Sequence, residues 1–490
     1  MKTTNFTTAD LESLSQRNIS TEEGDRQLVQ LRQENAFLPI DQPCTIGNGI
    51  TAVEPDNIPE LSLLFDTAAA ANRFTRFVPA SGAASRMFQG LFPEAMDPDK
   101  VSNLRARIRQ FPFYPELSQS TETPLEQLGD QIFLSLLLGS DGLNLAAKPK
   151  GLLPLHRGID YNRTAFAEHL HEGCSLGIRD FHFTVSPEHQ PFFQQQFELI
   201  RAELGRYATE VQVHFSVQSP QTDTIALDLQ TNKPFHIDKG ELVFRPAGHG
   251  ALLQNLEGSS GDLVLIRNID NVVPENLDKP YKLWTRILGG KLVEIQQQVF
   301  HWLEQLATTT DDKILSDAEN FLQQTFGRST DDNTPSGAKK AEQLINLLDR
   351  PIRICGMVPV SGQPGGGPFW AKDALGQISP QIIEGVQIDP DDPQQIKVLK
   401  ESTHFNPVNI ACSLRDWAGR PYCLADFVDQ NAAIITSKND SGRDLLALER
   451  PGLWNGAMSG WNSLFIEMPA ETFNPIKTVF DLLQPSHQPG

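Results

Sequence analysis

From residue 74 to residue 270, apolar runs of strand length alternate with segments of helical period. FTRFVP over 74–79 leads through the small-residue loop ASGAASR into amphipathic residues, and helical patterning fills 97–145. FHFTVS (181–186) is followed by the helical stretch 187–205, then by VQVHFSVQ, DTIALDL, a helix start at GHGALLQNL and the buried run DLVLIRNID. Strands joined through helices by short loops cannot pair as simple hairpins. They predict an α/β fold with a mostly parallel central sheet covered by helices.

The remaining segments fit the same plan. Residues 1–60 read as an N-terminal extension with a helix at about 22–35 and a Pro- and Gly-bearing connector. One α/β domain over 61–480 follows, with a helix at 61–75, a helical insertion at about 292–345 and a polar tail at 481–490. IRICGMVPV, QISPQIIEGVQI, FNPVNIACSL and SLFIEMP read as further strands, and GGGPFW at 365–370 as a flexible loop with an aromatic plate. No repeat of 20–50 residues is visible.

Charge and cysteine usage narrow the function classes. Lys+Arg 41 against Asp+Glu 61 gives −20, which disfavours a general nucleic-acid or anionic-membrane binder. Five scattered cysteines without a CxxC pair disfavour a disulfide framework or a thiolate zinc site. No apolar run reaches 18 residues, the longest candidate being IFLSLLLG at 132–139. The opening MKTTNFTTADLESLSQ lacks an apolar signal-peptide core, so a cytoplasmic protein is expected. His169 and His171, two apart on a predicted helix, do not share a face, which argues against zinc.

Four segments carry candidate chemistry. In Ala80-Ser81-Gly82-Ala83-Ala84-Ser85-Arg86, small residues let backbone N–H groups approach an anion, and Arg86 can clamp phosphate oxygens. A tight turn with a surface arginine explains the same residues equally well. Lys148-Pro149-Lys150-Gly151 suits a rigid loop presenting two ammonium groups to phosphates, or a solvated lysine turn. Pro246-Ala247-Gly248-His249-Gly250 opens a helix. Finally, Asp270 ends a buried apolar strand, where ligands of parallel sheets bind, and is a candidate for Mg²⁺. GxGxxG and the P-loop lysine motif are both absent.

These four elements in this order resemble the sugar-1-phosphate nucleotidyltransferases, and most of all UDP-glucose pyrophosphorylases, through Pro246, Gly248, His249, Gly250 and Asn268-Ile269-Asp270-Asn271. CGMVPV at 355–360, GQIS at 376–379, Glu384 and FNPVN at 405–409 continue the likeness. PASGAASRMF, HFTVSPEH, TDTIA, FRPAGHGALL, NIDNV, GGGPFW and ERPGLWNGAM are similar to segments of the bacterial domain-of-unknown-function family 4301. The resemblance implies a nucleotide-diphospho-sugar transferase fold (GT-A, Rossmann-like) and transfer of a nucleotidyl group from an NTP to a sugar phosphate, releasing pyrophosphate. It implies catalytic Arg86, Lys148 and Lys150. Nucleotide contacts would come from Ala80, Ser81, Gly82, Ala83, Ser85, Gln218, Gly248 and His249, and sugar contacts from Gly356, Glu384 and Asn406. Mg²⁺ would sit on Asp270 and Asn455. The sequence departs from the superfamily at Ser81, Ala83 and Ala84, where glycine or threonine is usual, and lacks a lysine after Glu384. A non-catalytic binder of nucleotides or nucleotide sugars, or a glycosyltransferase of the same fold, therefore remains open.

Overall fold

The computed structural model describes residues 5–488, apart from 34–36, 159–161, 238–239, 332–333, 361, 363–364, 373–375 and 441. The predicted helix end at Asn35 and two residues of the polar stretch after Phe326 thus lie outside the described residues. The chain divides into two compact units. Unit 1 comprises 1–55, 218–258 and 291–468; unit 2 comprises 56–217, 259–290 and 469–490.

Unit 2 contains the expected parallel strands, ordered Leu263–Arg267, Phe74–Pro79, Asp180–Val185, Gln212–Val217. Alternation along Asp180–Val185 sends Phe181, Phe183 and Val185 to one face and His182 and Thr184 to the other. On the first face Phe183 meets Phe166 of the helix Ala165–Ser175 at 4.7 Å, and Phe166 meets Phe193 of the helix Gln190–Arg201 at 5.4 Å. Thr164 caps the first of these helices by accepting from the Ala167 amide. Gly173 permits the close approach, since a Cβ there would lie 2.5 Å from the Phe181 ring.

Unit 1 is mixed, so the expected parallel pairing does not hold throughout. Ile352–Pro359 pairs in parallel with Asn462–Glu467 but antiparallel with Asn409–Ser413. An apolar run buried on both faces has the same pattern in either direction, so direction is set by connections that periodicity does not show. Two antiparallel sheets accompany it. One is ordered Phe244–Arg245, Thr224–Asp228, Arg443–Glu449, Ile434–Asp440; the other Ile40–Pro43, Gly367–Lys372, Ile378–Ile383. The GGGPFW segment, expected as a flexible loop, is therefore from Gly367 onward the middle strand of a sheet. The N-terminal helices Thr8–Gln16 and Thr21–Arg32 are amphipathic, and bury Leu14, Leu28 and Leu31 with Ile225, Leu227 and Leu448. The region 292–345 is helical, with Asp312–Phe326 and Ala338–Leu348 among its elements. No described helix is long and apolar enough to cross a membrane.

Candidate active site

In unit 2 the strand Phe74–Pro79 ends in the small-residue loop. Ala80 is buried and its amide still bonds Thr184, while Ser81, Gly82, Ala83, Ser85 and Arg86 are exposed. The lysine segment is fastened to this loop through backbone. Ala84 N donates to Lys148 O at 3.2 Å, and Lys150 N donates to Gly82 O at 3.0 Å. Ala83 takes φ −70°, so alanine sits here without strain. Ala84–Phe88 then forms a 3-10 turn. Five residues are too few to supply a helix-terminus potential, which leaves backbone N–H groups and cations to meet an anion. Arg86 lies on this turn and pairs with no carboxylate among the described residues.

Asp270 closes the site from the next strand. Its Oδ2 accepts from Lys150 Nζ at 2.9 Å and from Lys477 Nζ at 3.0 Å. Burial alone would raise its pKa, but the two ammonium groups outweigh burial and hold it below the usual carboxylate range. Lys477 is the residue the sequence analysis missed. It reaches the site because the returning segment docks on Asn271: Asn474 N and Tyr281 Oη donate to Asn271 Oδ1, and Asn271 Nδ2 donates to Thr472 O. Ile476 N also donates to Asp270 O at 3.0 Å.

A buried ion cluster fixes the turn that carries Asp270. Arg267, fully buried, donates from Nη1 to both oxygens of Glu172 (2.8 and 2.7 Å) and from Nη2 to Asn271 O (2.7 Å). Arg76 donates to Glu172 Oε1 from the neighbouring strand. Burial works against ionised Glu172, yet Arg267 and Arg76 bring its pKa down to about 2. His169 packs into the same cluster, where burial foremost, then the charges of Arg267 and Arg76, push it down to about 3. It is a neutral core histidine.

Unit 1 assembles a different set. Gly248 has φ +71°, and a Cβ there would lie 2.8 Å from Glu449 Oε2, so this position needs glycine. The His249 ring stacks on Trp454 (centroids 4.1 Å, 13° between planes). Leu453 N donates to His249 Nδ1, which fixes the hydrogen on Nε2, 3.6 Å from Glu384 Oε1. Asn455 Nδ2 donates to the same Glu384 oxygen at 2.6 Å. His249, opposed by burial and assisted by Asn455, holds Glu384 below the usual carboxylate range. Asn406 acts as scaffold, donating to Gly356 O and accepting from Val408 N. Gly356 makes room for Met468, whose sulfur would lie 2.0 Å from a Cβ. Gln218, partly buried, follows the strand Gln212–Val217.

The chain belongs to the family described as Domain of unknown function (DUF4301), whose model matches residues 7–488. No curated protein matches it. Among solved structures it is similar to a UDP-glucose pyrophosphorylase from Leishmania major, at 12% identity over 99% of this chain and 79% of that one, with TM-score 0.46. A uridine diphosphate N-acetylglucosamine pyrophosphorylase from Trypanosoma brucei matches at 13% identity over 98% and 82%, with TM-score 0.47. Scores this low, at such identities, decide neither reaction nor substrate.

The expected Mg²⁺ can be weighed against the donors themselves. Asp270 already faces two ammonium groups, and no trio of His, Cys, Asp or Glu among the described residues could hold a metal. One carboxylate against two lysines fits an anion, not a bare dication.

Proposed function

We propose that this protein is a sugar-1-phosphate nucleotidyltransferase. The observation that carries the reading is the convergence of Lys150 and Lys477 on Asp270 Oδ2, with Lys150 tied by backbone to the exposed loop at Gly82. In such a transfer, a phosphate oxygen of the sugar phosphate bonds to the α-phosphorus of the NTP. The bond from that phosphorus to the bridging oxygen breaks, and pyrophosphate leaves with the electron pair. The nucleophile is already anionic and needs no general base, so the protein's task is positioning and charge neutralisation. Unit 2 supplies that inventory: loop N–H groups, Arg86, Lys148, Lys150 and Lys477. Asp270 holds the two ammonium groups together and aimed until phosphate replaces it as their partner.

Unit 1, taken by itself, holds acceptors suited to a neutral polyhydroxyl body. Glu384, ionised and oriented by Asn455 and His249, can accept from sugar hydroxyls, and the partly exposed Trp454 offers an apolar plate. Pyrophosphate release, followed in a matrix of the four common NTPs against hexose 1-phosphates and N-acetylhexosamine 1-phosphates, tests the reading. One pair should turn over well above the rest. Binding of NTP without pyrophosphate release from any pair would replace it with the non-catalytic reading.

A further inference from the structure

Residues 469–488 return to unit 2 and carry Lys477 to Asp270. Ile476, Val479 and Leu482 bury the apolar side of this segment. Near its start it is held by Asn271, which accepts from Asn474 N and from Tyr281 Oη, while Asn474 Nδ2 donates to Tyr281 Oη at 2.9 Å. Burial pushes the Tyr281 phenol up to about 12, so this anchor exchanges no proton near neutral pH. The anchor near its end is different. There His487, 2% exposed, seats its ring against His156, 1% exposed, on the strand Pro154–Arg157.

Glu168, in the first turn of the helix Ala165–Ser175, completes that anchor. Its Oε1 lies 2.8 Å from His156 Nδ1, and His156 Nε2 lies 3.1 Å from His487 Nδ1. A carboxylate only accepts, so His156 carries a hydrogen on Nδ1 toward ionised Glu168. Between the two rings there is room for one hydrogen, donated by one nitrogen to the lone pair of the other. Charging both rings would set two N–H groups head to head at 3.1 Å, with ring centroids 5.4 Å apart, against the single charge of Glu168. The other charged and titratable groups around the pair are Arg163, Glu275 and His171. Arg163 draws on Glu168 Oε2 from 3.6 Å and pairs with Glu275 at 2.9 Å, and His171 faces the same three groups from the helix of Glu168.

We propose that the His156–His487 contact is a proton-sensitive latch, which holds the segment 469–488 in place at neutral pH and loosens it in acid. Burial foremost, then the charge of His156, push His487 down to about 3, in line with the hydrogen count. His487 is thus neutral while docked and takes up a proton at its ordinary value of 6.5 once free. Because the docked pKa is depressed, docking is at full strength above 6.5 and weakens as pH falls toward 3, by about tenfold per unit.

The latch bears on the site through Lys477. That residue stands on a tight turn, since Lys477 N and Thr478 N both donate to Asp481 Oδ2, and the preceding Ile476 N donates to Asp270 O at 3.0 Å. Release of the segment breaks the Ile476 bond, withdraws one of the two ammonium groups from Asp270 and leaves Lys150 in place. The inference concerns where Lys477 stands, and it holds whichever reaction the site performs.

Hydrogen exchange of the full chain, read by mass spectrometry, tests the latch without an activity assay. Peptides within 472–484 report the segment through amides such as Ile476, and the buried strand Leu263–Arg267 reports opening of unit 2 as a whole. The segment should exchange faster than the strand throughout. Its opening, corrected for the intrinsic rate, should rise about thirtyfold from pH 7.5 to pH 5. His487→Gln keeps a hydrogen-bonding side chain that does not titrate, and should abolish the rise. Circular dichroism checks the fold of this variant, and the wild-type pH profile decides the matter alone if it misfolds. Exchange of the segment only in step with the strand, an opening independent of pH, or a rise that survives His487→Gln would each overturn the proposal.

Discussion

Lys477 reaches back across 207 residues of sequence to place its ammonium 3.0 Å from Asp270 Oδ2, beside that of Lys150 at 2.9 Å. The two lysines differ in setting, since Lys150 is mostly buried and Lys477 is 56% exposed at its side chain. Replacing each by methionine should therefore weaken nucleoside triphosphate binding unequally. A charge-assisted hydrogen bond contributes about 1.5–3 kcal/mol, or roughly 10- to 150-fold, and Lys150→Met should fall in that range. Solvent screening should hold Lys477→Met to about threefold. Calorimetric titration with NTP reads both, and affinities within error of wild type for both variants would remove them from the phosphate site.

Asp270→Asn gives the opposite sign. It removes the only carboxylate facing the two ammonium groups among the described residues, so pyrophosphate should bind more tightly while stability drops by about 1–3 kcal/mol from the lost charged hydrogen bonds. Because its pKa is lowered in the folded state, this stabilisation is present above the unfolded carboxyl value and is lost as pH falls through the folded one. Titration in metal-free buffer with added chelator decides the role. Weaker pyrophosphate binding by the variant under those conditions would show that Asp270 does not restrain the lysines.

The parts of this arrangement visible in sequence were the local ones. ASGAASR and KPKG could be recognised because their chemistry is written in consecutive residues, and Asp270 because it closely follows the apolar run Leu263–Ile266. Lys477 could not. Nothing around FNPIKT marks it, and only the Asn271 amide, bonded to Thr472 O and Asn474 N, brings it home. The strand pair Ile434–Asp440 and Arg443–Glu449 is equally hidden, because neither IITSKND nor RDLLALE alternates apolar with polar residues. Asn406 and Gly356 fitted a binding motif in sequence, yet their contacts are with backbone and with Met468. A motif gives residue type and order; it does not say whether a side chain is already satisfied.

Acid sensitivity should trace to the cluster behind Asp270. His169 is held neutral with its pKa down to about 3, so on unfolding it takes up a proton below its ordinary value of 6.5. Its depressed pKa means that stability falls as pH drops from about 6.5 toward 3, by about 2 kcal/mol at pH 5. Glu172, brought down to about 2, adds a further loss at lower pH, as the unfolded carboxylate protonates first. Denaturant titrations of wild type and His169→Phe from pH 7 to 4.5 check the sign. The variant should lose less stability on acidification, and parallel curves would place the sensitivity elsewhere.

The final prediction concerns Glu384 and separates sugar from nucleotide. Its Oε1 receives the Asn455 amide at 2.6 Å and faces the Nε2–H of His249 at 3.6 Å, two donors that hold it ionised and leave its other oxygen to accept. Glu384→Gln keeps the volume but removes the charge, and the new amide nitrogen must either face two donors or turn toward the ligand. A hydrogen bond from a sugar hydroxyl to a carboxylate is worth roughly 1.5–3 kcal/mol against about 1 for a neutral acceptor. The KM for sugar phosphate should accordingly rise about three- to thirtyfold, with the KM for NTP within twofold of wild type. Glu384→Ala, which also releases Asn455 and His249, should be worse for the sugar phosphate and again spare the nucleotide. Steady-state pyrophosphate release with each substrate varied in turn gives both constants. A rise in the NTP constant alone would move Glu384 from the sugar to the nucleotide.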